Sequence, residues 1–256
     1  MKRRLKCAEP QQINKGMRFY YDLHVHSCLS PCADDDNTPN NLAGMAKLCG
    51  LNVVALTDHN TTKNCPAFFE ACGRYGIVPI PGMELTTSED IHVICLFPSL
   101  ESAMSFGEEV EKRRVPIKNR ADIFGRQLVL DGGDNVFCEE ENLLSNATTI
   151  SLDEAPAIVE AHGGVCYPAH IDREANGIIS VLGTMPETPA FSTIEFNQSE
   201  KAAEYIEKYA LQGKRTVISS DAHSLTQLRE ENDFFELDVD ENDAEAVREA
   251  IIELLK

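Results

Sequence analysis

Hydrophobic residues recur along this chain in two alternating patterns. Short apolar runs at Phe19 to Leu23, Val53 to Thr57, Ile77 to Pro81, Val93 to Phe97, Val165 to Ala169 and Thr216 to Ser220 have the length and β-branched content of buried strands. Longer stretches between them have helical spacing. Thr38 is placed to cap a helix with Pro39 in its first turn, Leu42, Met45, Ala46 and Cys49 keep one face apolar, and Gly50 ends it. A second helix is expected from about Pro66 to Tyr75, stopped by Gly76, and others near Asp153 to Ala161, Ser199 to Leu211 and Asp243 to Leu255. Strands alternating with helices predict an α/β fold on a parallel sheet, closed or nearly closed.

The stretch from Leu100 to Ile150 breaks this rhythm. It carries charged helical segments at Glu108 to Arg114 and Asn119 to Leu130, a Gly132-Gly133 turn, and no histidine. It reads as a helical insertion over 100–150 that covers or shapes a site, with a plain surface excursion as the alternative. Segments 17–99 and 151–256 would then form one discontinuous domain, and 256 residues suit a single well-buried core.

Six of the seven histidines fall in an ordered series with carboxylates, most of them just after a strand-like run. His24 and His26 follow the first run, Asp58 and His59 the second, and Glu84 the third. His92 opens the fourth, His170 follows the fifth, and Asp221 and His223 follow the last. In a barrel of parallel strands, side chains at the C-terminal strand ends converge on one face. Residues two apart on a strand point to the same side, so His24 with His26, and Asp221 with His223, can each present a pair of donors. Imidazole with carboxylate suits zinc, manganese and iron. The chain therefore reads first as a metal-dependent enzyme.

The stretches DLHVHS, ALTDHN, PGMELT, HVICLF, PAHID and SSDAH, in this order, resemble the PHP (polymerase and histidinol phosphatase) superfamily of metal-dependent phosphoesterases. The resemblance covers about residues 19 to 99 and 151 to 224. It implies a distorted (β/α)7 TIM-like barrel with two or three divalent ions at its mouth. It further implies that His24, His26, Glu84 and Asp221 hold one ion, His59 and His223 a second, and His92 with His170 a third, with Glu84 bridging. The acidic ligand of the second ion is assigned by position to Asp34, four residues before Thr38. The chain carries three extra residues before that acid, and Asp35 and Asp36 adjoin it. The implied reaction is attack of metal-bound hydroxide on the phosphorus of a small phosphorylated metabolite or nucleotide, without a covalent phosphoenzyme. Asp34, His59, His223 and Arg173 form the expected catalytic set. Arg173, three residues after His170, would bind phosphate oxygens, the alternative being a rim salt bridge with Asp172 or Glu174. Two other readings stay open: a nuclease acting on short RNA or DNA ends, and a non-catalytic binding module, which should have lost ligands.

Composition narrows the partners. A formal charge of −19 repels a long polyanion, whereas bound ions would make the site itself locally cationic. A small phosphorylated substrate, or at most a short oligonucleotide, is expected. No apolar run approaches the ~20 residues of a membrane span. The basic start, MKRRLKC, lacks the apolar stretch of a secretory signal, so a cytoplasmic protein is expected. Nine cysteines, an odd number without a CxxC pair, suggest reduced thiols. Cys28 and Cys32 lie beside His26 and suit a soft metal, but the site is already supplied with ligands and neither is assigned. His162, at an expected helix end, is explained by the helix dipole. Lys118, Arg120 and Arg126 read as a solvated face, and Asp58 as a residue that orients a ligand.

Overall fold

The structure, a computed structural model, describes residues 16–256. The polar N-terminal stretch, with the basic MKRRLKC segment, lies outside the described residues. The strands are β1 (Met17–Val25), β2 (Val53–Leu56), β3 (Val78–Thr86), β4 (His92–Leu96), β5 (Leu128–Leu130), β6 (Val136–Glu139), β7 (Val165–Pro168), β8 (Thr193–Phe196), β9 (Arg215–Ile218) and β10 (Phe234–Leu237). The helices are α1 (Pro39–Leu48), α2 (Cys65–Tyr75), α3 (Leu100–Arg113), α4 (Ala121–Phe124), α5 (Ala155–Ala161), α6 (Ile178–Leu182), α7 (Ser199–Lys208) and α8 (Ala244–Leu255). The fold is mixed α/β.

Local chemistry explains the helix ends. The Thr38 hydroxyl accepts from Asn41 N–H and Asp243 from Ala246 N–H, each closing an open helix start. Gly76 takes the left-handed conformation that ends α2, with φ at 67°.

Six strands form one curled sheet in the order β10-β1-β2-β3-β4-β7, and β8 pairs with β9. β1, β2 and β3 run parallel, as expected. β4 does not: it is antiparallel to both β3 and β7, with Thr86 opposite His92. Only five residues separate β3 from β4, too few for the crossover a parallel neighbour needs. This corrects the expectation of an all-parallel sheet.

Strand alternation sorts the core into layers. Leu23, Ala55, Ile80, Ile94, Tyr167 and Val217 pack together inside the curl. Val25, Val54 and Leu56 face Leu42 and Ala46 of α1 and Phe68 and Cys72 of α2. α8 sits at the strand ends away from the histidines: Thr193, opening β8, donates its hydroxyl to Leu255 O at 2.7 Å.

The segment over 100–150 departs from its sequence reading. α3 is longer than expected and buries Ala103, Phe106 and Val110 in the main core. Asn119 to Leu130 is not helical beyond the four residues of α4; it leads into a hairpin of β5 and β6 turned at Gly132-Gly133. Leu128, Val129 and Leu130 are each buried, a strand-like run that the flanking charges obscured. Among the described residues no helix is long and apolar enough to cross a membrane, and eight cysteines are free.

Candidate metal centre

Glu84 is the hub. It lies within β3, not beyond the strand end, and its carboxylate is nearly inaccessible. Five imidazoles converge on it: His92 Nδ1 at 2.7 Å, His59 Nδ1 at 2.9 Å, His170 Nε2 at 3.0 Å, His24 Nε2 at 3.3 Å and His26 Nε2 at 3.4 Å. They arrive from different elements at one rim. His24 is the penultimate residue of β1 and His26 follows that strand, whereas His59 comes from the loop after β2. His92 opens β4, and the reversed direction of β4 brings its first residue to the rim that its parallel neighbours reach with their last.

Asp221 and His223 complete the cluster from the loop after β9. Asp221 Oδ1 is 3.1 Å from His26 Nε2 and 3.2 Å from His24 Nε2. His223 Nδ1 is 3.5 Å from the same oxygen. Both His170 and Asp221 have positive φ, 25° and 54°, a conformation that ordinary side chains rarely adopt and that is held here at the site. Arg173 reaches Asp221 through Nη1 and remains partly exposed at the mouth. It does not pair with Asp172, which accepts instead from the backbone N–H groups of Asn197 and Gln198 at the start of α7.

These donors fit a metal better than they fit one another. His24 Nε2 and His26 Nε2 face each other at 3.0 Å and lie 3.2 and 3.1 Å from the same Asp221 oxygen, a convergence of donors that suits a shared ion. His59 Nδ1, His92 Nδ1 and Glu84 Oε2 are buried and lack an aligned hydrogen-bond partner despite their short separations. Unpaired buried polar atoms are costly, and a cation at their focus would satisfy them together. Three sets come close enough to share an ion: His24, His26, Glu84 and Asp221; His59, Glu84 and His92; and His26, His59 and His223.

Electrostatics point the same way. Burial opposes charge on His24, but Glu195, Asp221 and Glu84 outweigh it and hold the imidazole well above its ordinary pKa. His59 is likewise raised, burial being overcome chiefly by Glu84. His26 moves well down, through burial and the neighbouring His223 and His59. Burial would raise Glu84 and Asp221, yet the facing histidines keep both below the usual carboxylate range. The metal-free cluster thus holds protons on some rings and excludes them from others, and divalent ions would replace those protons.

Supporting residues surround the cluster. Asp58 accepts from Ser27 N–H at 2.8 Å and from the Ser27 and Ser30 hydroxyls at 2.7 Å. Ser30 in turn meets His26 Nδ1 at 3.0 Å, so Asp58 positions His26 through Ser30. Glu195 on β8 was not singled out in the sequence. It is fully buried, lies 2.8 Å from His24 Nδ1 and accepts from His170 N–H at 3.1 Å. Its only sequence signal is an acid inside the apolar run Thr193 to Phe196.

Asp34 is not brought into the cluster. It is exposed and belongs to none of the three sets. The longer loop turns tightly, with Ala33 N–H bonded to Ser30 O and Asp34 N–H to His223 O. That turn leaves Cys32 on the cavity wall, with Sγ 3.2 Å from His59 Nε2. Burial would raise the Cys32 thiol, but hydrogen bonds from His223 and His59 outweigh it and bring the pKa down to about 6.

The cavity has a volume of about 220 Å³, and Glu84, His92, His170 and Arg173 are among its walls. Ser145, from the stretch over 100–150, also lines it. Asn60 anchors that stretch by donating to Leu144 O and Asn146 O. His162 lies apart, packed edge-on against Phe106. Lys118, Arg120 and Arg126 pair on the surface with Glu141, Asp122 and Glu139.

Known proteins resemble this chain to different extents. The chain is 37% identical over 81 residues to the 5′-3′ exoribonuclease Rnm of Salmonella typhimurium, a match covering 30% of this chain and 27% of that protein. The chain spans less than half the length of such curated relatives. A lesion-specific endonuclease, PfuEndoQ from Pyrococcus furiosus, superimposes with a TM-score of 0.58 at 19% identity, over 85% of this chain and 52% of the other. A putative metal-dependent phosphoesterase from Bifidobacterium adolescentis superimposes with a TM-score of 0.56 at 19% identity, over 93% and 97%. At these identities the structural likeness concerns the fold. The model of the PHP domain matches residues 22–254, nearly the whole described chain, and with the histidine order and their shared rim it follows that this chain belongs to the PHP domain family.

Proposed function

We propose that this chain is a metal-dependent hydrolase of phosphate esters, acting on a small phosphorylated metabolite or nucleotide. The observation that carries this reading is the convergence of five buried imidazoles on Glu84, with polar atoms left unpaired unless a cation joins them. His24, His26, Glu84 and Asp221 would hold one ion, His59 and His223 a second, and His92 with His170 a third. Zinc, manganese and iron suit this donor set. When bound, such ions neutralise phosphate oxygens and supply hydroxide at neutral pH.

The chain's own residues then bind and orient. Arg173 stands at the mouth and would turn from Asp221 to a non-bridging phosphate oxygen, where its planar donors suit a phosphate. Glu195 and Asp58 hold His24 and His26 in the ring orientations that aim Nε2 inward. The cavity is smaller than the ~300–1,000 Å³ typical of sites that enclose a drug-sized ligand. It would admit the phosphate and leave most of the leaving group at the rim. We also take β1 to β4 and β7 to β9 as a distorted seven-stranded barrel, supported by the bridge between Val25 and Ala222. Segments 17–99 and 151–256 would make this single discontinuous domain, with 100–150 as an elaboration of its wall.

A second reading, removal of nucleotides from short RNA or DNA ends, is favoured by the exoribonuclease and endonuclease likenesses and opposed by the net charge of −19. One panel separates them. Metal-loaded protein should release inorganic phosphate from phosphomonoesters or mononucleotides, and lose that activity on chelation. Shortening of 5′-labelled oligonucleotides without phosphate release would favour the nuclease. Silence on every substrate with metal confirmed in the protein would refute both and leave a binding module.

A further inference from the structure

The stretch over 100–150 carries no histidine and so no imidazole ligand, yet it reaches the cavity at Ser145. The backbone on either side of Ser145 is clamped. The buried Asn60 amide donates to Leu144 O at 2.7 Å and to Asn146 O at 2.9 Å, while its own Oδ1 accepts from Thr86 N–H at 2.8 Å. Leu144 N–H donates to Gln127 Oε1 at 2.8 Å, and the Leu144 side chain is buried against Leu29 and Val129. Asn60 N–H also bonds to Glu84 O, so the wall that carries Ser145 is tied to the strand that carries the hub of the cluster. The bonds to the segment all end on its backbone, and the Ser145 hydroxyl is not spent on them.

The other walls leave little else to hold a substrate oxygen. The histidines and carboxylates are the groups that ions would engage. Of the remaining lining residues, Ala175 has an apolar side chain, Cys32 faces His59 and is a weak donor, and the Asn176 amide donates to Asp90 O at 2.9 Å. Arg173 and Ser145 are left. A cavity of about 220 Å³ takes the phosphoryl group and not the leaving group, so a donor on its wall meets phosphoryl oxygen. A hydroxyl donating to such an anionic oxygen makes a short, charge-assisted bond.

We propose that Ser145 is a phosphate-binding residue, its hydroxyl donating to a non-bridging phosphoryl oxygen while Arg173 supplies the charged contact at the mouth. This deepens the phosphate-ester reading above and rests on it. The stretch over 100–150 thus contributes a substrate contact and no metal ligand.

Binding of inorganic phosphate tests this without any assay of turnover. Calorimetric titration of the zinc-loaded full chain with inorganic phosphate should show binding weakened by roughly 10-fold in Ser145→Ala, with zinc content by elemental analysis unchanged. Ser145→Thr, which restores a hydroxyl, should bind phosphate within about threefold of the parent protein. Undiminished affinity in Ser145→Ala, or an equal loss in Ser145→Thr, overturns the assignment of Ser145 alone. Loss of zinc from Ser145→Ala overturns it too, because the residue would then be supporting the fold of the site. Zinc-loaded parent protein that binds no phosphate overturns the phosphate-ester reading itself, and the two failures are therefore distinguishable.

Discussion

Replacing Glu195 separates the residues that would touch metal from those that aim them. Its carboxylate is fully buried and has two partners, His24 Nδ1 at 2.8 Å and His170 N–H at 3.1 Å. The first contact fixes which nitrogen of His24 is free to face the cluster, where Nε2 lies within 3.3 Å of His26, Glu84 and Asp221. Glu195→Gln keeps an oxygen able to accept from His24 but removes the charge. A charge-assisted hydrogen bond is worth ~1.5–3 kcal/mol and a neutral one ~0.5–1.5, so the change costs about 1 kcal/mol. Glu195→Ala leaves two buried donors unpaired, at ~1–3 kcal/mol each. At 1.4 kcal/mol per decade, zinc affinity should fall roughly 5- to 10-fold in the glutamine variant. The alanine variant should lose on the order of 100-fold, at the upper end of losses seen when a ligand's supporting partner is removed. Competition against a chromogenic chelator measures both, with circular dichroism checking that the fold survives. Affinities within twofold of the parent protein in both variants would refute the positioning role.

Three further outcomes are expected. Arg173→Ala should lower kcat/KM for a phosphomonoester by roughly 10- to 100-fold, the worth of ~1.5–3 kcal/mol of charged hydrogen bonding, while metal content by elemental analysis stays unchanged; unaltered kinetics would remove Arg173 from the site. Metal uptake should release protons at pH 7, because His24 and His59 are raised and carry protons in the metal-free protein, whereas ligation needs neutral rings. Affinity should therefore fall as pH drops, and calorimetry in buffers of different ionisation enthalpy should report the released protons; a release of zero contradicts the sign. Gly82→Ala should destabilise by about 1–3 kcal/mol, since a Cβ there would meet Cys95 O and the Leu96 side chain at 2.8 Å. An unchanged melting temperature would show that the β3–β4 pair can spread at no cost.

What the sequence determined by itself was periodic or strand-bound. A two-residue period commits His24 and His26 to one side of the chain, and caps such as Thr38 and Gly76 mark helix ends, because these depend on neighbours only a few residues away. The brief loop between Thr86 and His92 also contained the antiparallel turn of β4, although strand–helix alternation suggested a parallel sheet. Tertiary structure alone decided the rest. Glu195 is distant in sequence from the histidines it supports and meets them only because β8 packs beside β7. That Cys32 and not Asp34 lines the cavity follows from backbone bonds between an irregular loop, His223 and β5. Side-chain direction in such a loop follows from dihedral angles set by distant partners, and no local period encodes it.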